Sequence, residues 1–250
     1  PSLTRHTHHH PASTMVVRLI MSPSKSLNFL GAPSPPLLPI STPIHVEHAD
    51  ALASSLSSKS ASFFTTLLKT SAALSAKTAE QYSSFSAATP LPCIYAFSGS
   101  AYDKLLGRTL GSAALEHAQE SLRILDPLYG WLRPMDGIRP YRMELLCKPG
   151  AERLDKFWAP VLEETLEGEM GDDEGLLFDL ASKEYSSLLP TLPSNVQRVT
   201  VDFTVAGSTA PSAKLKQSRG LFARFFCENK VTSVEAARGF DAEGYGCALV

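Results

Sequence analysis

Pro127, Pro134 and Pro140 divide the segment from Ser121 to Glu144, SLRILDPLYGWLRPMDGIRPYRME, into pieces too short for one continuous helix. Each proline ring fixes φ near about −65° and biases the preceding residue toward extended backbone, so this stretch has to turn repeatedly. Into these turns the sequence places Arg123, Arg133, Arg139 and Arg142, the aromatics Tyr129 and Trp131, and Gly130, with Asp126, Asp136 and Glu144 as carboxylates. Turns of this kind aim arginines in set directions, and rigid guanidinium groups match the geometry of phosphate.

The rest of the chain is long enough to build a scaffold for these turns. Its 250 residues are 44% hydrophobic and 19% charged, which suits a globular protein with a full core. No clear linker divides them, so a single domain over residues 15–250 is expected. No apolar run reaches the roughly 20 residues of a membrane-spanning helix, which argues against a membrane protein. Cys93, Cys147, Cys227 and Cys247 are far apart and form no CxxC pair, which points to isolated thiols in a reducing compartment, the cytoplasm by default.

A formal net charge of −2 conceals an uneven distribution. The stretch from Glu163 to Glu174 is acidic without one basic residue. Ser212 to Lys230 carries Lys214, Lys216, Arg219, Arg224 and Lys230 against Glu228 alone. If the acidic stretch is a solvated loop on the far side, the opposite face can still be positive enough to hold a polyanion.

Residues 1–14 are polar and acid-free and are expected to form a disordered leader. They are compatible with the remnant of an organelle transit peptide, and Met15 is the alternative start. His6, His8, His9 and His10 within it read as an incidental tract, and no metal site is expected. The apolar run after Met15 predicts a buried strand. Residues 47 to 87 predict two or more helices, Cys93 to Phe97 a second short strand, and Asp103 to Ile124 a helix running into the arginine segment. Further on come a helix over Phe157–Leu166, strands at Leu176–Leu180 and Arg198–Val205, and a basic helix over 214–229. Strands separated by helices imply an α/β (α+β) domain with a mixed sheet.

Ser22-Pro23-Ser24-Lys25 has the SxxK spacing of acyl-transfer enzymes, but the SDN and KTG elements that accompany it there do not occur. GxSxG, GxxxxGK[ST], GxGxxG and HExxH are also missing, so no residue is assigned a catalytic role and no cofactor is expected.

The blocks SPSKSLNF, LYGWLRPMDGIRPYRME, KFW, LASKEY, KQSRGLFARF and GFDAEGY occur in this order over about nine tenths of the chain. In this the chain resembles the YaaA peroxide-stress protein family. The resemblance implies a cytoplasmic single-domain fold with a positively charged cleft, duplex DNA binding, and limitation of peroxide damage linked to free iron. It also implies a helix-hairpin-helix element at the LYG turn, which holds phosphates without reading sequence. The expected DNA or phosphate contacts are Lys25, Tyr129, Gly130, Arg133, Tyr141, Arg142, Lys216, Arg219 and Arg224. Ser22, Gly99, Glu144, Ser182 and Tyr185 are expected to line the cleft. No partner besides duplex DNA is implied, and a monomer is expected. Three departures from the family pattern stand out: Ser98 where a cleft lysine is usual, Pro127 in place of a glycine before the LYG turn, and Asp179 in place of asparagine.

The first reading is therefore a non-enzymatic DNA-binding protein of the hydrogen peroxide response. The alternative is an enzyme on a phosphorylated or nucleic-acid substrate, with Lys25, Arg133, Arg142 and Glu144 as a phosphate clamp beside an acid or base. Direct iron sequestration lacks support in the sequence, since His45, His48 and His117 have no evident partners.

Overall fold

The β-branched run after Met15 forms the inner strand around which the sheet is assembled. The computed structural model describes residues 15–31, 33, 36–205, 208–209 and 211–250, so the leader and its histidines lie outside the described residues. Strand β1 (Val16–Met21) is followed by helices α1 (Val46–Leu56), α2 (Ala61–Leu68) and α3 (Ala72–Ser83), then by α4 (Ser112–Ser121). Next come β2 (Leu122–Asp126), β3 (Gly130–Leu132), α5 (Leu154–Met170), β4 (Gly175–Asp179), β5 (Val196–Val205), β6 (Ser208–Thr209), α6 (Ser212–Glu228) and β7 (Tyr245–Leu249). No helix among the described residues is long and apolar enough to cross a membrane.

The strand order is β6-β5-β4-β1-β2-β3, with β7 also paired to β5. Strands β5, β4, β1 and β2 are mutually parallel, while β3, β6 and β7 are antiparallel to their neighbours. The sheet is mixed, as expected. Its parallel centre is buried on both faces, which is why β2 and β4 are buried at every position. On one face Phe178 of β4 meets Phe222 and Phe226 of α6. On the other, Glu169 of α5 receives Arg18 of β1 at 2.6 Å, Arg123 of β2 at 2.8 Å and the Trp131 indole of β3 at 3.0 Å. The α1–α3 group joins α5 through His45, whose ring lies 2.9 Å from the Thr165 hydroxyl and packs against Trp158.

Several local expectations are corrected. Cys93–Ala96 is a helical turn, not a strand, because the Cys93 and Ile94 amides donate to Asp136 O and Pro134 O at 2.9 and 3.0 Å. Only Phe97–Ser98 of that stretch is extended, paired with Ser26–Leu27. The helix expected over 103–124 breaks into the turns Tyr102–Leu105 and Gly107–Thr109 followed by α4, and Leu122 onward is strand. The acidic stretch is not simply a loop: α5 continues through it to Met170.

The LYG turn joins β2 to β3 as an antiparallel pair in register Asp126↔Gly130. The segment is therefore strand-turn-strand and not the helix-hairpin-helix element expected there. Pro127 ends β2, and the Asp126 side chain takes over the turn by accepting the Leu128 and Tyr129 amides at 2.9 Å each. Gly130 has φ +71, and a Cβ there would meet the Trp158 ring at 2.4 Å, so both backbone and space demand glycine.

Candidate functional site

After β1 the chain crosses to β2 on one side, and after β4 it goes to β5 on the other. Such a reversal of strand order leaves a crevice beyond the finishing ends of the two central strands. A cavity of about 500 Å³ occupies that position. Its wall is formed by Met21–Ser26 after β1, Ser98–Tyr102, then Leu180, Ser182, Glu184 and Tyr185 after β4, and Lys216 and Arg219 of α6.

The loops are laced together by short polar contacts. The Ser22 hydroxyl accepts the Ser182 amide at 2.8 Å, and Tyr102 donates to Ser22 O at 2.8 Å. Ser24 donates to Ser98 O, which ties the SPSK turn to Gly99. Gly99 has φ +100, a conformation L side chains rarely adopt, and it brings backbone directly to the cavity wall. Helix α6 lies equally close. A Cβ at Gly220 would stand 1.9 Å from Ala101 O, and the Arg224 guanidinium donates to Leu105 O at 3.2 Å and Thr109 Oγ1 at 2.9 Å. Gly220 and Arg224 thus clamp α6 against the Tyr102–Leu105 turn and set Lys216 and Arg219 over the opening.

The charged groups differ in how they are satisfied. Lys25 pairs with Glu144 at 3.0 Å, and Arg142 bonds the other oxygen of Glu144 at 3.2 Å. Lys216 and Arg219 make no hydrogen bond or ion pair with the described residues. Burial lowers the pKa of the Arg219 guanidinium from its usual value, and the Asp179 carboxylate partly counters this. Asp179 itself pairs with Arg198 at 2.5 Å and accepts the Ser186 hydroxyl at 2.6 Å, so the departure from asparagine places no unpaired carboxylate beside the cavity. Tyr185 is only 7% exposed, lines the cavity, and its hydroxyl bonds no described residue. Burial pushes its phenol well up, with the Asp126 carboxylate as the next cause. Beside it lies a recess of about 10 Å³, room for about one water, lined by Lys25, Tyr185 and Arg142. The Arg142 Nε is buried there without a partner.

Of the residues singled out in the sequence, the structure gathers Lys25, Lys216, Arg219, Ser22, Gly99, Ser182 and Tyr185 at the cavity, with Arg142 and Glu144 at its edge. Tyr141 borders the recess beside Arg142, and the other four lie elsewhere. Arg133 pairs with Asp136 at 3.0 Å and donates to Thr42 O at 3.0 Å. Tyr129 is buried and its hydroxyl accepts the Arg139 amide at 3.0 Å, Tyr141 donates to buried Asp126, and Gly130 packs on Trp158. Arg224 pairs with Glu228 at 2.6 Å. Each arginine of the opening segment has a carboxylate partner: Arg123 shares Glu169 with Arg18, Arg133 pairs with Asp136, Arg139 with Asp50, and Arg142 shares Glu144 with Lys25. Sequence reasoning missed Gly220, Tyr102 and Arg198. Only Gly220 carried a signal, as a glycine inside an otherwise helical basic run.

Glu174 O accepts the Val16 amide at 2.9 Å, which puts the acidic end of α5 and the turn after it at the starting ends of β1 and β4. The cavity, with Lys216 and Arg219, is at their finishing ends. Among the described residues no group of three or more His, Cys, Asp or Glu side chains is placed to hold a metal ion.

Fold and cavity together define an open-sheet α/β protein with a single-ligand-sized crevice at its switch point. The model of the peroxide stress protein YaaA family matches residues 17–248. A UPF0246 protein of Rhizorhabdus wittichii is 35% identical over 235 residues, 91% of this chain and 92% of that protein. UPF0246 proteins of Verminephrobacter eiseniae and Bordetella pertussis are 34% and 35% identical, covering 92% and 90% of this chain and 92% and 91% of their own lengths. The chain belongs to the YaaA (UPF0246) family, which is linked to peroxide stress.

Proposed function

We propose that this protein binds the phosphate backbone of duplex DNA, without reading its sequence, across the opening of the switch-point cavity, as part of a peroxide-stress response. The observation that carries the reading is the pair of cations on α6, Lys216 and Arg219, left without hydrogen bonds or ion pairs to the described residues at a crevice whose central strands begin at an acidic turn. Unpaired cations beside each other raise the local potential and attract a polyanion, whereas arginines already satisfied by carboxylates contribute little to it. Lys25 joins them: its pair with Glu144 is more than half exposed on the lysine side, at 55%, and such surface pairs exchange readily for phosphate. In this reading the peroxide damage linked to iron is limited by occupation of DNA, with no catalytic step. Glu144, with one oxygen on Lys25 and the other on Arg142, is held as a counter-charge and is not poised as an acid or base.

A salt series with a fluorescent duplex bearing hydroxyl ends tests this. The wild type is expected to show an affinity that falls steeply with salt. Lys25→Gln/Lys216→Gln is expected to weaken it by about tenfold or more and reduce the log–log slope by about 2, roughly one for each phosphate no longer neutralised. Arg133→Gln is expected to leave affinity unchanged while lowering stability, since its partner Asp136 is buried. Absence of wild-type binding at low salt overturns the proposal.

A further inference from the structure

The cavity is deeper than a backbone-tracking groove requires. Its inner wall is built from Met21, Leu180 and Tyr102, all buried, so it ends inside the protein. A volume of about 500 Å³ lies within the range of roughly 300–1,000 Å³ typical of sites that enclose one small ligand. A continuous duplex passes across such an opening but does not enter it. Two groups on its wall lack hydrogen-bond and ion-pair partners among the described residues: the guanidinium of Arg219, a half-buried residue, and the hydroxyl of Tyr185, which is 7% exposed. Both are donors that face the cavity and are suited to a phosphate oxygen. The Ser22 and Ser182 hydroxyls stand on the same wall.

We propose that the cavity receives a terminal phosphate monoester of nucleotide size, with Arg219 and Tyr185 as its inner donors. A monoester carries about −1.5 to −2 charges at pH 7 and offers three terminal oxygens, so it satisfies both donors, while an internal diester has no free end to enter the cavity. The chemistry has two sources, a free nucleoside monophosphate or the phosphorylated end of a strand. In its second form the inference rests on the DNA reading above.

The test compares three duplexes of equal length by fluorescence polarisation at fixed salt: phosphate ends, hydroxyl ends, and a dumbbell closed at both ends. Titration with nucleoside monophosphate and with the matching nucleoside completes the set. The expected result is at least tenfold tighter binding of the phosphate-ended duplex than of the other two. Displacement by the monophosphate and not by the nucleoside is also expected. Arg219→Gln is expected to abolish this preference, and Tyr185→Phe, which keeps the packing, to reduce it severalfold, both with unchanged thermal midpoints. If all three duplexes bind alike and the monophosphate does not compete, the inference falls while the DNA reading stands. If no duplex binds but the monophosphate does, DNA binding falls and the cavity is a mononucleotide site. If nothing binds, both fall.

Discussion

Gly220→Ala is expected to destabilise the protein by roughly 2–4 kcal/mol, although the same change in an isolated helix stabilises it by about 1 kcal/mol. The sign reverses because the added methyl would stand 1.9 Å from Ala101 O and 3.0 Å from the Lys104 Cβ. The nearest atom is backbone, so no rotamer change relieves the clash, and α6 has to retreat from the Tyr102–Leu105 turn. That retreat also strains the Arg224 bonds to Leu105 O and Thr109. For a chain of this size the thermal midpoint is expected to fall by roughly 5–15 °C. Because Lys216 and Arg219 ride on the same helix, phosphate binding is expected to weaken along with stability. A neutral or raised midpoint would show that the helices do not approach this closely.

Asp126→Ala is expected to cost about 3–5 kcal/mol. The carboxylate is 1% exposed and accepts the Leu128 amide, the Tyr129 amide and the Tyr141 hydroxyl, and alanine leaves all three donors buried without partners. Asp126→Asn should be far milder, because the amide oxygen keeps the two backbone donors and its NH₂ can donate to the Tyr141 oxygen, reversing that bond. The pair of variants also separates charge from hydrogen bonding. Burial pushes the Asp126 pKa from 3.8 up to about 6, against the opposing pull of its three donors. The folded protein therefore keeps a proton that the unfolded chain releases between about pH 4 and 6. The contribution of Asp126 to stability is full below about pH 4 and declines as pH rises to 6, by roughly 3 kcal/mol over the whole shift. Chemical denaturation from pH 4 to 7 should show this decline in the wild type and a flatter profile in Asp126→Asn. Parallel profiles would place the titration elsewhere.

The sheet class was legible from the sequence because its strands are apolar runs between turn signals. The run after Met15 and LLFDL needed only their hydrophobicity to be read as buried strands. The boundary at Ser121 was not legible, since α4 passes directly into β2 with neither glycine nor proline to mark it. Cys93–Ala96 misled for a different reason: its apolar residues are buried, but the partners of its amides come from Pro134 and Asp136 far along the chain. The site was half legible. The SPSK turn, LASKEY and the basic helix were recognised as cleft material, and they do meet at one cavity. The arginine segment drew attention for its charge, yet the carboxylates that satisfy Arg123 and Arg139 are Glu169 and Asp50, 46 and 89 residues away. A count of charges along the chain sees three nearby acids and four bases, but it does not see which cations the fold leaves unmatched.

The three-way meeting at Glu169 also bears on how the chain acquires its structure. Arg18, on the first strand to be made, has to wait for a residue 151 positions later before its charge is matched. At translation rates of roughly 5–20 residues per second that interval is about 8–30 s. Throughout it β1 presents a bare hydrogen-bonding edge where β4 will later dock, and its apolar residues have only the α4 side of the sheet to cover them. The centre of the sheet thus stays open until β4 is made, with only the β5–β7 edge still to follow, and nascent chains halted before Met170 should be the aggregation-prone form of this protein.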